Sequence, residues 1–312
     1  MSLIECVPNI SEGRRIEVIE AVAQAVRSVS GVSLLDVSSD VSHNRSVLTC
    51  VGHASDLQKA VIALFDVAIA RIDLRTHRGV HPRIGAVDVV PFVPFDAAGM
   101  PECVSLARET GAMVASRFAL PVYLYEEAAT GPARRQLEHL RRGQFEGLVT
   151  RLATEAWRPD FGPTTPHPSA GATAVGARRF LIAYNVNLAI DRLDVARKIA
   201  AAVRFSSGGL PCVKAMGVRL AHRGLVQVSM NLTDYQRTSI QQAFEGVTRE
   251  AARCGVGILE SEIVGLVPAA ALEGVDLEHL KVRDPSIDRT IEGRLRQLGF
   301  RLPASGFGLL TF

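Results

Sequence analysis

One order of elements runs through this chain twice, and that repetition leaves few folds open to it. From Leu3 to Val93 the order is strand, helix, strand, strand, helix, strand. Leu3 to Val7, Val32 to Val37, Ser46 to Gly52 and Ala86 to Val93 are short runs rich in branched or aromatic side chains, which reads as strands. Ile16, Ile19, Val22, Val26 and Val29 recur at three and four residues until Gly31 stops the pattern, which predicts an amphipathic helix. Leu57, Val61, Leu64, Phe65 and Ala68 form one stripe on a second helix, with Ser55 and Gln58 as its expected capping box. Pro101 at a first-turn position opens a third helix, and Val122 to Tyr125 reads as another strand.

The order returns further on: a strand near Phe180 to Leu188, then a helix from Asp191 expected to be capped by that carboxylate. Strands at Val213 to Leu220 and Val226 to Asn231 follow, then a helix over Thr238 to Arg253 and a strand at Ile258 to Val264. Each pass matches the split βαβ order, in which four antiparallel strands carry two helices on one face. The expected fold is therefore α/β of the α+β kind, with two ferredoxin-like subdomains over residues 1–177 and 178–312, each an antiparallel sheet with helices on one face. No sequence identity links the halves, so the repeat is one of pattern. Between them, Pro159 to Gly171 holds four prolines and reads as an ordered connection, while the tail from Gly299 is expected to be loosely held.

Composition removes several classes. With 47% hydrophobic and 21% charged residues the chain has ample material for a core, which excludes disorder as its main state. The longest uncharged apolar stretch, Ile263 to Leu272, is broken by Pro268 and falls far below the roughly 17 to 25 residues that span a bilayer. Met1 to Arg15 carries Glu5 and Glu12 and lacks the basic start and apolar core of a secretory signal, so a cytoplasmic protein is expected. Five scattered cysteines without a CxxC pair fit neither a disulfide framework nor a zinc ribbon. A formal charge of +3 suits small anions and falls short of a nucleic-acid footprint.

There is no Walker loop, no GxGxxG after a strand and no GxSxG elbow. His77 and His81 stand four apart, but Gly79 and Pro82 oppose the helix that would pair them on a metal, so no metal is expected. What remains is a polar set at the ends of the first strands. Asn9, Ser11 and Glu12 follow the first strand; Asp40, His43, Asn44 and Arg45 precede the third; His77, His81, Arg83 and Asp88 surround the fourth. Polar residues gathered at strand ends suggest a site, and ordinary turn and capping residues are the alternative. A free histidine titrates near ~6.5, so His81 suits proton transfer in both directions, with Pro82 fixing the backbone and Arg83 placed to clamp a carboxylate. His81 as a plain hydrogen-bonding residue at a strand start stays open beside that reading.

Glu5-Cys6-Val7-Pro8-Asn9-Ile10-Ser11-Glu12-Gly13, His43-Asn44-Arg45-Ser46-Val47 and His81-Pro82-Arg83-Ile84-Gly85-Ala86-Val87-Asp88-Val89 resemble segments of the formiminotransferase domain of the formiminotransferase-cyclodeaminase family. Pro159-Asp160-Phe161-Gly162-Pro163, Ala183-Tyr184-Asn185-Val186-Asn187-Leu188 and Gln227-Val228-Ser229-Met230-Asn231-Leu232 extend the likeness, which covers about residues 2 to 300 in order. The resemblance implies transfer of a formimino group from N-formimino-L-glutamate to N5 of tetrahydrofolate, the co-substrate, in histidine degradation. It places the catalytic histidine at His81 and the folate-binding segment at Gly162, Pro163, Thr164, Thr165, Pro166, His167, Pro168, Ser169, Ala170 and Gly171. It also implies a homodimer, and a cyclodeaminase as a separate protein, since bifunctional members continue where this chain ends.

Asn9, Asp40, Asn44, Arg45, Arg83, Arg178 and Lys214 are the candidates for holding or supporting carboxylates; for Arg178 and Lys214 solvated surface charge is the competing reading. Three other functions stay open: formyl transfer between 5-formyltetrahydrofolate and glutamate on the same scaffold, a non-catalytic folate-binding partner, and an RNA-binding module. Aromatics at 5% and the lack of an RNA-recognition motif speak against the last.

Overall fold

A computed structural model describes residues 3–94 and 99–300. The chain divides into two compact units between Arg178 and Arg179. The first unit contains β1 (Ile4–Cys6), β2 (Asn9–Ile10), α1 (Ile16–Arg27), β3 (Val32–Asp40), β4 (Arg45–Gly52), α2 (Ala54–Arg71) and β5 (Val87–Pro94). It continues through α3 (Gly99–Phe118), β6 (Val122–Glu126), α4 (Leu137–Leu140), α5 (Leu148–Leu152) and β7 (Thr173–Ala177).

β1 and β2 share one place in the sheet, antiparallel to β4 on one side and β5 on the other, and β3 lies antiparallel outside β4. This is the split βαβ order expected from the pattern. The sheet then exceeds it, because β7 lies parallel between β5 and β6. Of the five residues Thr-Ala-Val-Gly-Ala only Thr173 and Val175 favour a strand, and all five are buried, so pairing on both sides secures β7 where its short, small-residue run does not announce it.

Helices α1, α2 and α3 pack one face of this sheet, with Val22, Leu57, Phe65, Leu106 and Val114 meeting Ile10, Leu48, Val90 and Phe92. The expectation of helices on one face holds for the antiparallel part and gives way at the addition. There Val89, Tyr123, Tyr125 and Ala174 are covered on the opposite face by Leu140, Leu148 and Leu152 of the α4–α5 segment. Parallel strands are buried on both faces, so the addition needs this second cover.

The second unit contains β8 (Ile182–Leu188), α6 (Leu193–Val203), β9 (Val213–Leu220), β10 (Leu225–Leu232), α7 (Ile240–Arg253), β11 (Ile258–Val264) and α8 (Ile291–Gln297). Its sheet runs β11, β8, β10, β9 and is antiparallel throughout. Tyr184, Val186 and Leu188 alternate onto the helix side, where Ala196, Ile199, Phe244 and Val247 cover them.

Two expected caps are corrected. Ser55 lies inside α2, whose first turn follows His53 without a side-chain bond. Asp191 does not cap α6, which starts after Arg192; its carboxylate instead meets Arg219 at 2.9 Å. Among the described residues the helix with a complete capping box is α7, between Ser239 and Gln242. Among the described residues no helix is long and apolar enough to cross a membrane. The expectation of a loose tail falls, from residue 301 on, outside the described residues.

Candidate active site

Alternation along β2 and β4 sends Ile10 and Leu48 into the helix-side core and leaves Asn9 and Arg45 on the other face, while in β5, whose register with β2 shifts, both Val87 and Val90 enter that core and Asp88 between them joins Asn9 and Arg45. There they meet. Arg45 donates from Nε to Asn9 Oδ1 at 3.1 Å and from Nη1 to Asp88 Oδ2 at 2.8 Å. Arg141, at the end of α4, donates from Nε and Nη2 to the same Oδ2 at 3.0 and 2.6 Å. Asp88 Oδ1 accepts the Ile84 amide at 2.8 Å. Burial alone would raise the Asp88 carboxyl, but Arg141, Arg45 and that amide together hold it below its ordinary value. Arg45, lowered to about 10 by burial and by the charge of Arg141, is only partly compensated by Asp88.

His81 stands among these charges. Its Nδ1 is buried without a hydrogen-bond partner, and its ring centroid lies 5.8 Å from that of His43. Burial, then Arg45 and Arg141, then His43, push the His81 pKa well below 6.5. This corrects the expectation of ordinary titration: at neutral pH the ring is the free base. The neighbouring His43 also has an unpartnered nitrogen, Nε2, and burial lowers its pKa against the opposing charge of Asp40. Asp40 holds the loop by accepting the His43 amide at Oδ1, 2.6 Å away.

The loop is built around Asn44, which takes a left-handed φ of 49°. Its Oδ1 accepts the Gly13 amide at 2.9 Å and its Nδ2 donates to the Arg78 carbonyl at 3.0 Å. Gly13 is required here, since a Cβ would strike the Asp40 carbonyl and the Arg45 amide. Glu12, next to it, accepts the Arg14 and Arg15 amides at 2.9 and 3.0 Å, placing a carboxylate at the start of α1.

His77 and Arg83 have settled partners. Arg83 Nε can only donate, so His77 Nδ1 accepts at 3.1 Å and Nε2–H donates to the Asn44 carbonyl at 2.9 Å. Both nitrogens are engaged, which leaves His77 no lone pair for a metal. The rest of the Arg83 guanidinium meets Gln144 at 3.1 Å and both oxygens of Glu146 at 2.9 and 2.7 Å. Arg83 therefore ties the His-Pro-Arg segment to the loop after α4.

In the connection, Gly162 and Gly171 both have left-handed φ, of 86° and 74°. His167 and Gly171 exchange backbone bonds at 2.8 and 3.0 Å, and His167 Nδ1 accepts the Ala170 amide at 3.0 Å. The Ser169 and Ala170 carbonyls bind the Leu74 and Ala86 amides at 2.8 and 3.0 Å, which fastens the segment beside β5. Thr164, Thr165 and Pro168 are exposed, and Pro163 and Pro166 partly so. Arg178 follows β7, gives its amide to the Phe92 carbonyl at 3.0 Å and bonds the buried Tyr125 through its side chain. Lys214 stands in the second unit, on β9 opposite Asn231.

Asn9, Asp40, Asn44, Arg45, Arg83 and His81 are thus gathered in one unit. Arg141, Gln144 and Glu146 are the members that sequence reading misses. They lie in a polar stretch without periodicity, and no local signal marks them.

Fold and cluster together define a two-unit α+β protein with a neutral histidine set among arginines. Residues 3–178 match the family model of the formiminotransferase domain, N-terminal subdomain, and residues 183–287 match that of the formiminotransferase domain. The chain is 45% identical to the glutamate formimidoyltransferase of Streptococcus pyogenes serotype M1, over 90% of this chain and 94% of the relative. It is 48% identical to the glutamate formimidoyltransferase of Thermoplasma acidophilum, over 90% and 93%. With the formimidoyltransferase-cyclodeaminase of Sus scrofa it shares 43% identity over 86% of its own length and 51% of the relative's, so the match spans about half of that longer protein. The chain belongs to the formiminotransferase family.

Proposed function

We propose that this chain is a glutamate formimidoyltransferase, moving the formimino group of N-formimino-L-glutamate to N5 of tetrahydrofolate and releasing L-glutamate, with His81 as its acid–base residue. The observation that carries the reading is His81 itself, a free-base imidazole with an unpartnered Nδ1 inside a cationic cluster. Identity to proteins named for this activity supports it.

As N5 bonds to the amidine carbon, His81 takes the N5 proton and a tetrahedral intermediate forms. The imidazolium then gives that proton to the glutamate nitrogen, whose bond to the carbon breaks. The proton count closes on the histidine, and such a relay contributes typically ~10² to 10⁴ in rate. The neighbouring arginines disfavour the imidazolium, which urges the proton onward. Residues 162–171 are assigned to the folate, as a preorganised segment fastened by backbone bonds and carried with the first unit. The reading extends to a homodimer in the cytoplasm, with a cyclodeaminase consuming the product; light scattering on purified protein tests the dimer.

Glutamate release from formiminoglutamate and tetrahydrofolate is the test. His81→Ala is expected to lower turnover by about 10² to 10⁴ while folate affinity stays within a few fold. Undiminished release in the variant, a collapse of folate binding, or release only from formylglutamate contradicts the assignment.

A further inference from the structure

The Asp88 cluster is not balanced in charge. Two guanidiniums, Arg45 and Arg141, converge on one carboxylate, and their side chains are only 12% and 11% exposed. Arg83 does not change this count, because Glu146 pairs it. A largely buried cation without its counter-charge is costly, and an anion that settles beside it removes that cost. The donors for such an anion are present. Arg45 uses Nε and Nη1, and Arg141 uses Nε and Nη2. Among the described residues Nη2 of Arg45 and Nη1 of Arg141 make no hydrogen bond, and the shared Asp88 oxygen holds the two planar groups together.

We propose that Arg45 and Arg141, joined through Asp88, anchor the α-carboxylate of the amino-acid donor. The inference rests on the formimino-transfer reading and names the donor's foothold within it. Its basis is proximity to the reacting carbon. The Ile84 amide, three residues on from His81, bonds the Asp88 carboxylate that both arginines share, and both arginine charges bear on the His81 ring, so a group they hold lies near the base. In the donor, the α-carboxylate is attached to the same carbon as the nitrogen that leaves. In the folate, the glutamyl carboxylates stand beyond the methylene–N10 bridge and the aminobenzoyl ring from N5, so they do not reach a carboxylate site next to His81 while N5 is reacting. A paired guanidinium grip on the donor also fixes the amidine carbon's orientation, which is where positioning contributes to rate.

The experiment crosses Arg141→Gln with a donor lacking the α-carboxylate, the formimino derivative of 4-aminobutyrate. Asp88 keeps Arg45 and the Ile84 amide in this variant, so the fold is expected to survive, and its thermal midpoint is recorded beside Arg141→Lys, which keeps charge and loses the fork. For wild type, kcat/KM is expected to fall roughly tenfold to hundredfold with the truncated donor. Arg141→Gln is expected to lose a similar factor with the full donor, mostly in donor KM, and little more with the truncated one, since the interaction is already gone. The KM for tetrahydrofolate should not move.

Equal use of both donors by wild type overturns the proposal. So does a loss in Arg141→Gln that persists undiminished with the truncated donor, or one that falls on the KM for tetrahydrofolate and so assigns the arginines to the glutamyl tail. A calorimetric titration with L-glutamate and 4-aminobutyrate runs in parallel without turnover. Glutamate binding that weakens in Arg141→Gln upholds the anchor even if transfer fails, whereas glutamate binding equal in both proteins overturns it.

Discussion

The two units share a skeleton and differ at one edge of it. In the second unit β11 is the outermost strand, paired with β8 and met on its other edge by a single parallel bridge between Ser261 and Val282. In the first, β5 holds the corresponding place, yet β7 and β6 extend the sheet beyond it. The added parallel strands need a second cover, and the α4–α5 segment that supplies it also brings Arg141, Gln144 and Glu146. The shared skeleton contributes Asn9, Arg45 and Asp88, which alone would make a neutral pair. The addition supplies the second cation and the wall behind Arg83. A charged site therefore arises in one of two similar units through the same insertion that closes its sheet.

The sharpest way to break this contrast is through one aspartate in each unit. Asp88 is 0% exposed and serves two arginines and an amide, so Asp88→Ala strands buried charge and is expected to cost about 3 to 5 kcal/mol in chemical denaturation. In the second unit Arg219 and Asp191 pair at 50% and 48% exposure, so Asp191→Ala is expected to cost less than about 1 kcal/mol. Equal costs would mean that the Asp88 cluster is solvated and that its excess charge has no consequence.

Helix starts offer a smaller contrast. Ser239 accepts the Gln242 amide at 3.2 Å and Gln242 returns a bond to the Ser239 amide, so Ser239→Ala is expected to lower stability by about 1 kcal/mol. Ser55→Ala in α2 is expected to change it by no more than a few tenths, because Ser55 is the second residue of the helix and caps nothing. A Ser55 cost as large as that of Ser239 would restore the capping box that its sequence context suggests.

What could be read from sequence follows the range of the forces involved. β9 and β11 lie at the bounds their alternation predicts, because a strand with one packed face writes its period locally. β7 writes none, since small residues buried on both faces depend on their neighbours. Ser55 and Asp191 have capping residue types, but the helices beside them begin elsewhere, which local spacing does not determine. In the site, Asn9, Asn44, Arg45, His81 and Asp88 sit at strand ends and were legible for that reason. Arg141 reaches Asp88 across 53 residues, and no pattern connects them. The pairing of Arg83 with Glu146, 63 residues on, was equally hidden, and it engages donors that a ligand carboxylate would otherwise use.

The neutral state of His81 has a sign that solution measurements read. Below 6.5 an unfolded histidine binds a proton that the folded ring refuses, so this group's contribution to stability is lost as pH falls from 6.5 toward the folded pKa. The catalytic counterpart tests the account most directly: the pH dependence of kcat/KM for glutamate release, which reports the base in the free enzyme. The account predicts a rate that holds steady from neutral pH down through 6.5 and falls only well below it, with the profile abolished in His81→Ala. An acid limb with its midpoint at or above 6.5, or a variant that keeps the wild-type profile, contradicts His81 as a base held neutral by Arg45 and Arg141.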